Sequence, residues 1–145
     1  MMPQARLVAA AAVAAALALP VPTFAAAEPL LPNAWQHVIS NQIQAFRDND
    51  ATTAFQYAGL GFQERFQDAQ SFFNATVAAG YNTIMDSRTE NFGSYRQFDD
   101  SSVLQEVTLF GNDQSLYTAV FAMAEEPGGW RIEAVILKKQ DGVGV

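Results

Sequence analysis

The sequence predicts an α+β fold, N-terminal helices packed on a curved antiparallel sheet of three to four strands, and three observations carry that expectation. Up to Gly80 the apolar residues recur at helical spacing; from Tyr81 onward β-branched and aromatic residues gather in short runs. The spacers between those runs suit hairpins and are too short for parallel crossovers. A chain of 145 residues has room for one core.

The N-terminal part is unlike the rest. Arg6 precedes an alanine-rich run from Leu7 to Leu19 without a charged or polar side chain, ended by Pro20 and Pro22. Such a run is shorter than the roughly 20 residues needed to span a bilayer as a helix, and it suits the apolar region of a signal peptide. Ala25, Ala26 and Ala27 supply small residues for cleavage, so residues 1–27 read as a signal peptide, with the mature chain starting at Glu28 or, as the other choice, at Ala26. Residues 28–33 follow as a linker and 34–145 as one domain, expected in the periplasm or secreted. With no cysteine, neither a disulfide framework nor a lipid-anchored cysteine is available, and no stable membrane anchor is expected after cleavage. Losing Arg6 leaves 7 basic residues against 15 acidic ones, a formal charge of −8. That charge disfavours nucleic acid and anionic lipid surfaces, since Lys138 and Lys139 are the only basic pair.

Asn33 stands at a capping position before a helix from Ala34 to Asp48. At 100° per residue Trp35, Val38, Ile39, Ile43 and Phe46 form one stripe, which should face the core. Asp50 can cap a second helix, Ala51 to Ala58, anchored by Phe55. A further turn is expected over Phe62 to Phe66, and Asp68 can cap a third helix, Ala69 to Ala79, which buries Phe72, Phe73 and Val77 and ends at Gly80.

Three strands are expected at Val103–Phe110, Leu116–Met123 and Trp130–Leu137, after a poorly patterned stretch near Arg88 to Phe92. Pairing Met123 with Trp130 sets Phe121 opposite Ile132, Ala119 opposite Ala134 and Tyr117 opposite Ile136, one apolar face. Val107 reaches Ala119 only across an odd-length loop or a bulge, and an odd loop is expected. Leu104, Phe110, Leu116, Val120, Val135 and Leu137 fall on the other face, an apolar content that fits either a homodimer interface or scattered exposure.

Four strings carry a resemblance to a known family: Val38 to Arg47 with the Asp-Asn-Asp-Ala that follows, Ala79-Gly80-Tyr81, Val103 to Val107, and Gly129 to Ile132 with the ending Asp141 to Val145. The chain from Trp35 to Val145 resembles the bacterial domain-of-unknown-function family 4864, small exported proteins of nuclear-transport-factor-2-like, cystatin-like fold. The resemblance implies a cone of helices against a bent sheet, with a pocket between them. That scaffold hosts enzymes, carriers and dimerisation modules, so fold alone does not select a function.

Gln42 lies within the apolar stripe and Gln105 shares the phase of Val103 and Val107, so each needs partners once buried. Convergence of Gln42, Gln105 and Tyr117 would give a ligand pocket walled by Trp35, Phe46, Phe121 and Trp130; the same groups would serve equally as a closed core network. His37, the only histidine, points off the stripe and reads as a solvated helix residue; neither a metal site nor a cofactor is expected. Enzymes resembling ketosteroid isomerases or polyketide cyclases place a carboxylate or histidine base inside the cone, and no inner strand position supplies one here. Asp86, Glu90 or Glu64 would have to enter from a helix or loop. The leading expectation is a non-catalytic exported module binding a small apolar or amphipathic molecule or a partner. The alternatives are an isomerase, cyclase or dehydratase with a pocket carboxylate, and a secreted inhibitor or interaction domain using the sheet edge.

Overall fold

The structure, a computed structural model, describes residues 31–140. The expected signal peptide over 1–27, the Ala27–Glu28 cleavage site, the first half of the linker (28–30) and the Asp141–Val145 ending lie outside the described residues. The order is α1 (Asn33–Arg47), α2 (Ala51–Gln56), α3 (Leu60–Arg65), α4 (Ala69–Thr76), a wide π-type turn (Val77–Tyr81) and α5 (Asn82–Met85). Four strands follow: β1 (Thr89–Asp99), β2 (Ser102–Phe110), β3 (Leu116–Glu126) and β4 (Gly129–Lys139), an antiparallel meander in chain order. Helices first and sheet after, with one face of the sheet covered, is the expected α+β arrangement. No described helix is long and apolar enough to cross a membrane.

The stripe of α1 docks as its spacing requires: Trp35, Ile39, Ile43 and Phe46 are fully buried. The helix starts one residue before the expected Ala34, and Asn33 does not cap it. Pro32 occupies that place with φ −53°, already helical, and its carbonyl accepts from the Gln36 amide at 3.0 Å. The two aspartate caps are present, Asp50 accepting from the Thr53 amide at 3.1 Å and Asp68 from the Ser71 amide at 2.7 Å. On the far side of α1 an aromatic cluster closes the helical layer, Phe46 against Phe73 at 4.8 Å and Tyr81 at 4.2 Å between ring centroids.

The β2–β3 pairing is as expected. Residues 111–115 make an odd loop, and Val107 lies opposite Ala119. The β3–β4 register is corrected: Met123 pairs with Ile132, and Glu125 with Trp130. The strands run on to a tight turn with Glu126 opposite Gly129, and Gly129 takes φ +124° there. Between Ala122 and Met123 the register slips, leaving Glu133 as an extra residue. That bulge inverts the rest of β4. Val135 and Leu137 turn to the helical side opposite Phe121 and Ala119, while Ala134 and Ile136, expected inside, face out. Ile136 is 67% exposed.

The stretch from Arg88 is also more than expected: β1 is an eleven-residue edge strand paired along β2. Its own slip, between Phe92 and Tyr95, breaks the alternation that would have marked it in the sequence. At the other edge, Tyr57 and Gly59 bond the backbone of Ile132 at 2.8 Å each, covering part of β4. A Cβ on Gly59 would come within 3.3 Å of the Ile132 carbonyl, so the approach is tight for any larger residue.

Candidate functional site

The residues expected to build a pocket fall into three separate places. Trp35, Gln105 and Trp130 meet over the sheet: the Trp35 indole N–H donates to Gln105 Oε1 at 2.8 Å, and the two indoles stand edge to face at 5.3 Å. Gln105 is fully buried and satisfied, because Gln36 also donates to its oxygen while its amide donates to the carbonyls of Gly93, Ser94 and Glu106. It clamps the β1 irregularity. Phe121 is buried directly opposite Gln105 on the neighbouring strand.

Gln42 is two turns away along α1. Its amide donates to the Ala54 carbonyl at 3.1 Å and its oxygen accepts from the Tyr81 hydroxyl at 3.1 Å, beside Phe46. Burial, and then the charge of Glu90, pushes the Tyr81 phenol upward, with Arg47 partly offsetting the effect. Tyr117 joins neither group; it donates to Asp113 Oδ2 at 2.6 Å at the β2–β3 turn. Gln42, Gln105 and Tyr117 therefore bond to separate partners, and between α1 and the sheet Trp35, Gln105, Phe121 and Trp130 are buried side chains.

The acidic candidates are held elsewhere. Glu90 pairs with Arg47 at 2.9 Å, and Arg47 also bonds the Met85 and Ser87 carbonyls, tying α1 to the end of α5. Asp86 borders a small polar hollow of about 170 Å³ with Asp113 and Tyr117, and Glu64 is exposed. There the Tyr117 hydroxyl, the Ser115 amide and Lys139 together hold the Asp113 carboxyl below its ordinary range. His37 lies exposed on α1, its Nε2 3.0 Å from the Asn41 amide.

An opening of about 550 Å³ lies between the short helices and β4. Phe62 and Arg65 of α3, with Phe66 just after it, form one wall, and Ala75, Thr76, Ala79, Gly80 and Tyr81 another. Ile84 closes the floor, and Val135 and Leu137 supply the sheet side. Two backbone irregularities make this space. The Glu133 bulge turns Val135 and Leu137 toward the helices, and Gly80 at φ +117° swings the chain from α4 into α5. No carboxylate or histidine is among the lining residues, and Tyr81 presents its ring because its hydroxyl is bonded to Gln42. The chemistry on offer is enclosure of apolar matter beside one cation. Its size falls within the roughly 300–1,000 Å³ of small-molecule sites.

None of the residues expected to line a pocket borders this cleft. The phenylalanines at 62 and 66 were legible only as one more turn, and Val135 and Leu137 were assigned to the opposite face. The signal available was Gly80 at the end of a helical run directly before Tyr81, which marks a chain reversal at that wall.

Residues 32–145 match the family described as Domain of unknown function (DUF4864), and the chain belongs to it. No curated protein matches. Among solved structures, the chain is similar to a phospholipid-binding protein from Ralstonia solanacearum in complex with a phospholipid, with 13% identity, 70% of this chain and 74% of that one covered, and a TM-score of 0.42. A likeness that distant leaves the ligand of this chain to be read from its own side chains.

Proposed function

We propose that this protein is an exported, non-catalytic module that takes a small apolar or amphipathic molecule into the cleft between α3, the Gly80 turn and β4. The single observation that carries the reading is an open space of about 550 Å³ walled by Phe62, Phe66, Ile84, Val135 and Leu137. The cleft walls hold no proton-transferring carboxylate or imidazole, which favours binding over the isomerase and cyclase alternatives. Export is read from Arg6, the Leu7–Leu19 run and the Ala25–Ala27 stretch.

Native mass spectrometry on protein recovered from a periplasmic extract tests both parts. The expected result is a chain starting at Glu28 or at Ala26, carrying a small non-covalent adduct that Ala79→Trp, which fills the cleft mouth, removes. A full-length chain contradicts export, and an adduct-free protein that also takes up no added fatty acid contradicts the cleft.

A second reading, a homodimer through the outer face of the sheet, is favoured by Ile136 standing exposed beside Val120 in a shallow groove with Glu106 and Lys138. A twofold axis along β3 sets β2 of one copy over β4 of the other, bringing Glu106 toward Lys138. Light scattering at high micromolar concentration tests it: a dimer that Ile136→Lys dissociates supports it, and a monomer removes it.

A further inference from the structure

We propose that the ligand of the cleft carries an anionic head group, a carboxylate or phosphate on a single apolar chain, and that Arg65 receives it. The inference rests on the binding role proposed above and names the chemical class of the occupant.

Arg65 is the one charged side chain among the residues lining the cleft. It sits in the last turn of α3, where its guanidinium has neither an ion-pair nor a hydrogen-bond partner among the described residues. The other arginine close to the helical layer, Arg47, is committed to Glu90, Ser87 and the Met85 carbonyl, so the two cations differ in what they leave available. A guanidinium offers a planar fork of donors matched to carboxylate or phosphate oxygens. Its setting adds selectivity: the chain carries a formal charge of −7, which repels an anion from most of the surface, whereas the cleft walls carry no acid to compete for Arg65.

The remaining walls fit the other end of such a molecule. Phe66, Ile84, Val135 and Leu137 are apolar, and Gly80 lacks a side chain where a Cβ would meet nothing within 4 Å, which leaves its side of the cleft open. Thr76 contributes a hydroxyl within the same lining. A neutral alcohol of the same chain length would satisfy the apolar walls and leave Arg65 to water.

The test titrates delipidated mature protein calorimetrically with oleate, oleoyl lysophosphatidate and oleyl alcohol, each below its aggregation threshold. Wild type is compared with Arg65→Gln, Arg65→Lys and Ala79→Trp. Arg65 is exposed, and unchanged thermal unfolding of Arg65→Gln checks that its effect is on binding. Wild type should hold at least one of the two anions about tenfold more tightly than the alcohol, a difference of the size one charge-assisted contact supplies. Arg65→Gln should erase that preference while leaving alcohol binding as it was, and Arg65→Lys should keep most of it. The anion that binds more tightly identifies the head group as carboxylate or phosphate. Equal affinity for anions and alcohol in wild type, or a preference that survives Arg65→Gln, overturns the inference while the cleft reading stands. Failure of all three probes to bind, or binding untouched by Ala79→Trp, defeats the cleft reading itself.

Discussion

Gln105 shows how much one buried amide can organise. It accepts from Trp35 and Gln36 and donates to three carbonyls, so replacing it with methionine of similar shape leaves the Trp35 N–H and the β1 carbonyls without partners. Gln105→Met should cost about 2 kcal/mol, read as a lower urea midpoint at unchanged slope. Arg47→Met should cost at least as much as Glu90→Gln, because Arg47 satisfies backbone and hydroxyl acceptors of Ser87 as well as the carboxylate. The helix caps give a pH signature. Asp68 has its carboxyl held below the ordinary range by the Ser71 amide and then the Ser71 hydroxyl, so its contribution is fully present above the unfolded carboxylate range and is lost as pH falls through the lower folded value. Asp68→Asn keeps an acceptor for the Ser71 amide and should flatten the fall in stability on acidification; an unchanged pH profile would contradict the assignment.

At the scale of elements, two small irregularities decide where the cleft lies. With Glu133 as the bulged residue, Leu137→Lys should lower the melting temperature by several degrees, while Ile136→Lys leaves monomer stability within about 0.5 kcal/mol. The opposite ranking would restore the unbulged register. Gly80→Ala should destabilise by about 1 kcal/mol or more, since φ +117° admits alanine only under strain. What could be read from the sequence divides along the same line. The α1 stripe, the Asp50 and Asp68 caps and the odd loop between Phe110 and Leu116 follow from local spacing, and each is found in the structure. Beyond Glu133 the alternation of apolar residues points to the wrong face, because an extra residue shifts the phase without leaving a mark in composition. β1 was legible only as a poorly patterned stretch near Arg88 to Phe92 for the same reason: the slip before Tyr95 and the exposure of an edge strand remove the period-two pattern.

For the molecule as a whole, the layering was legible and the site was not. Gln42 and Gln105 drew attention because a polar residue within an apolar stripe must be bonded, and both are, but to partners that close the core: Ala54 and Tyr81 in one case, Trp35 and the β1 carbonyls in the other. The opening arises where packing is incomplete, between α3, the Gly80 turn and the re-phased end of β4, a property of tertiary arrangement that no local pattern encodes. The central claim is therefore about location. Amide chemical-shift mapping of isotope-labelled protein comprising residues 28–145, titrated with oleate, tests it most directly. Shifts should concentrate at Phe62 to Phe66, Ala75 to Ile84 and Val135 to Leu137, and leave Trp35, Gln105 and Trp130 in place. Shifts centred on Trp35 and Gln105 instead, or none at saturating oleate, would contradict the account.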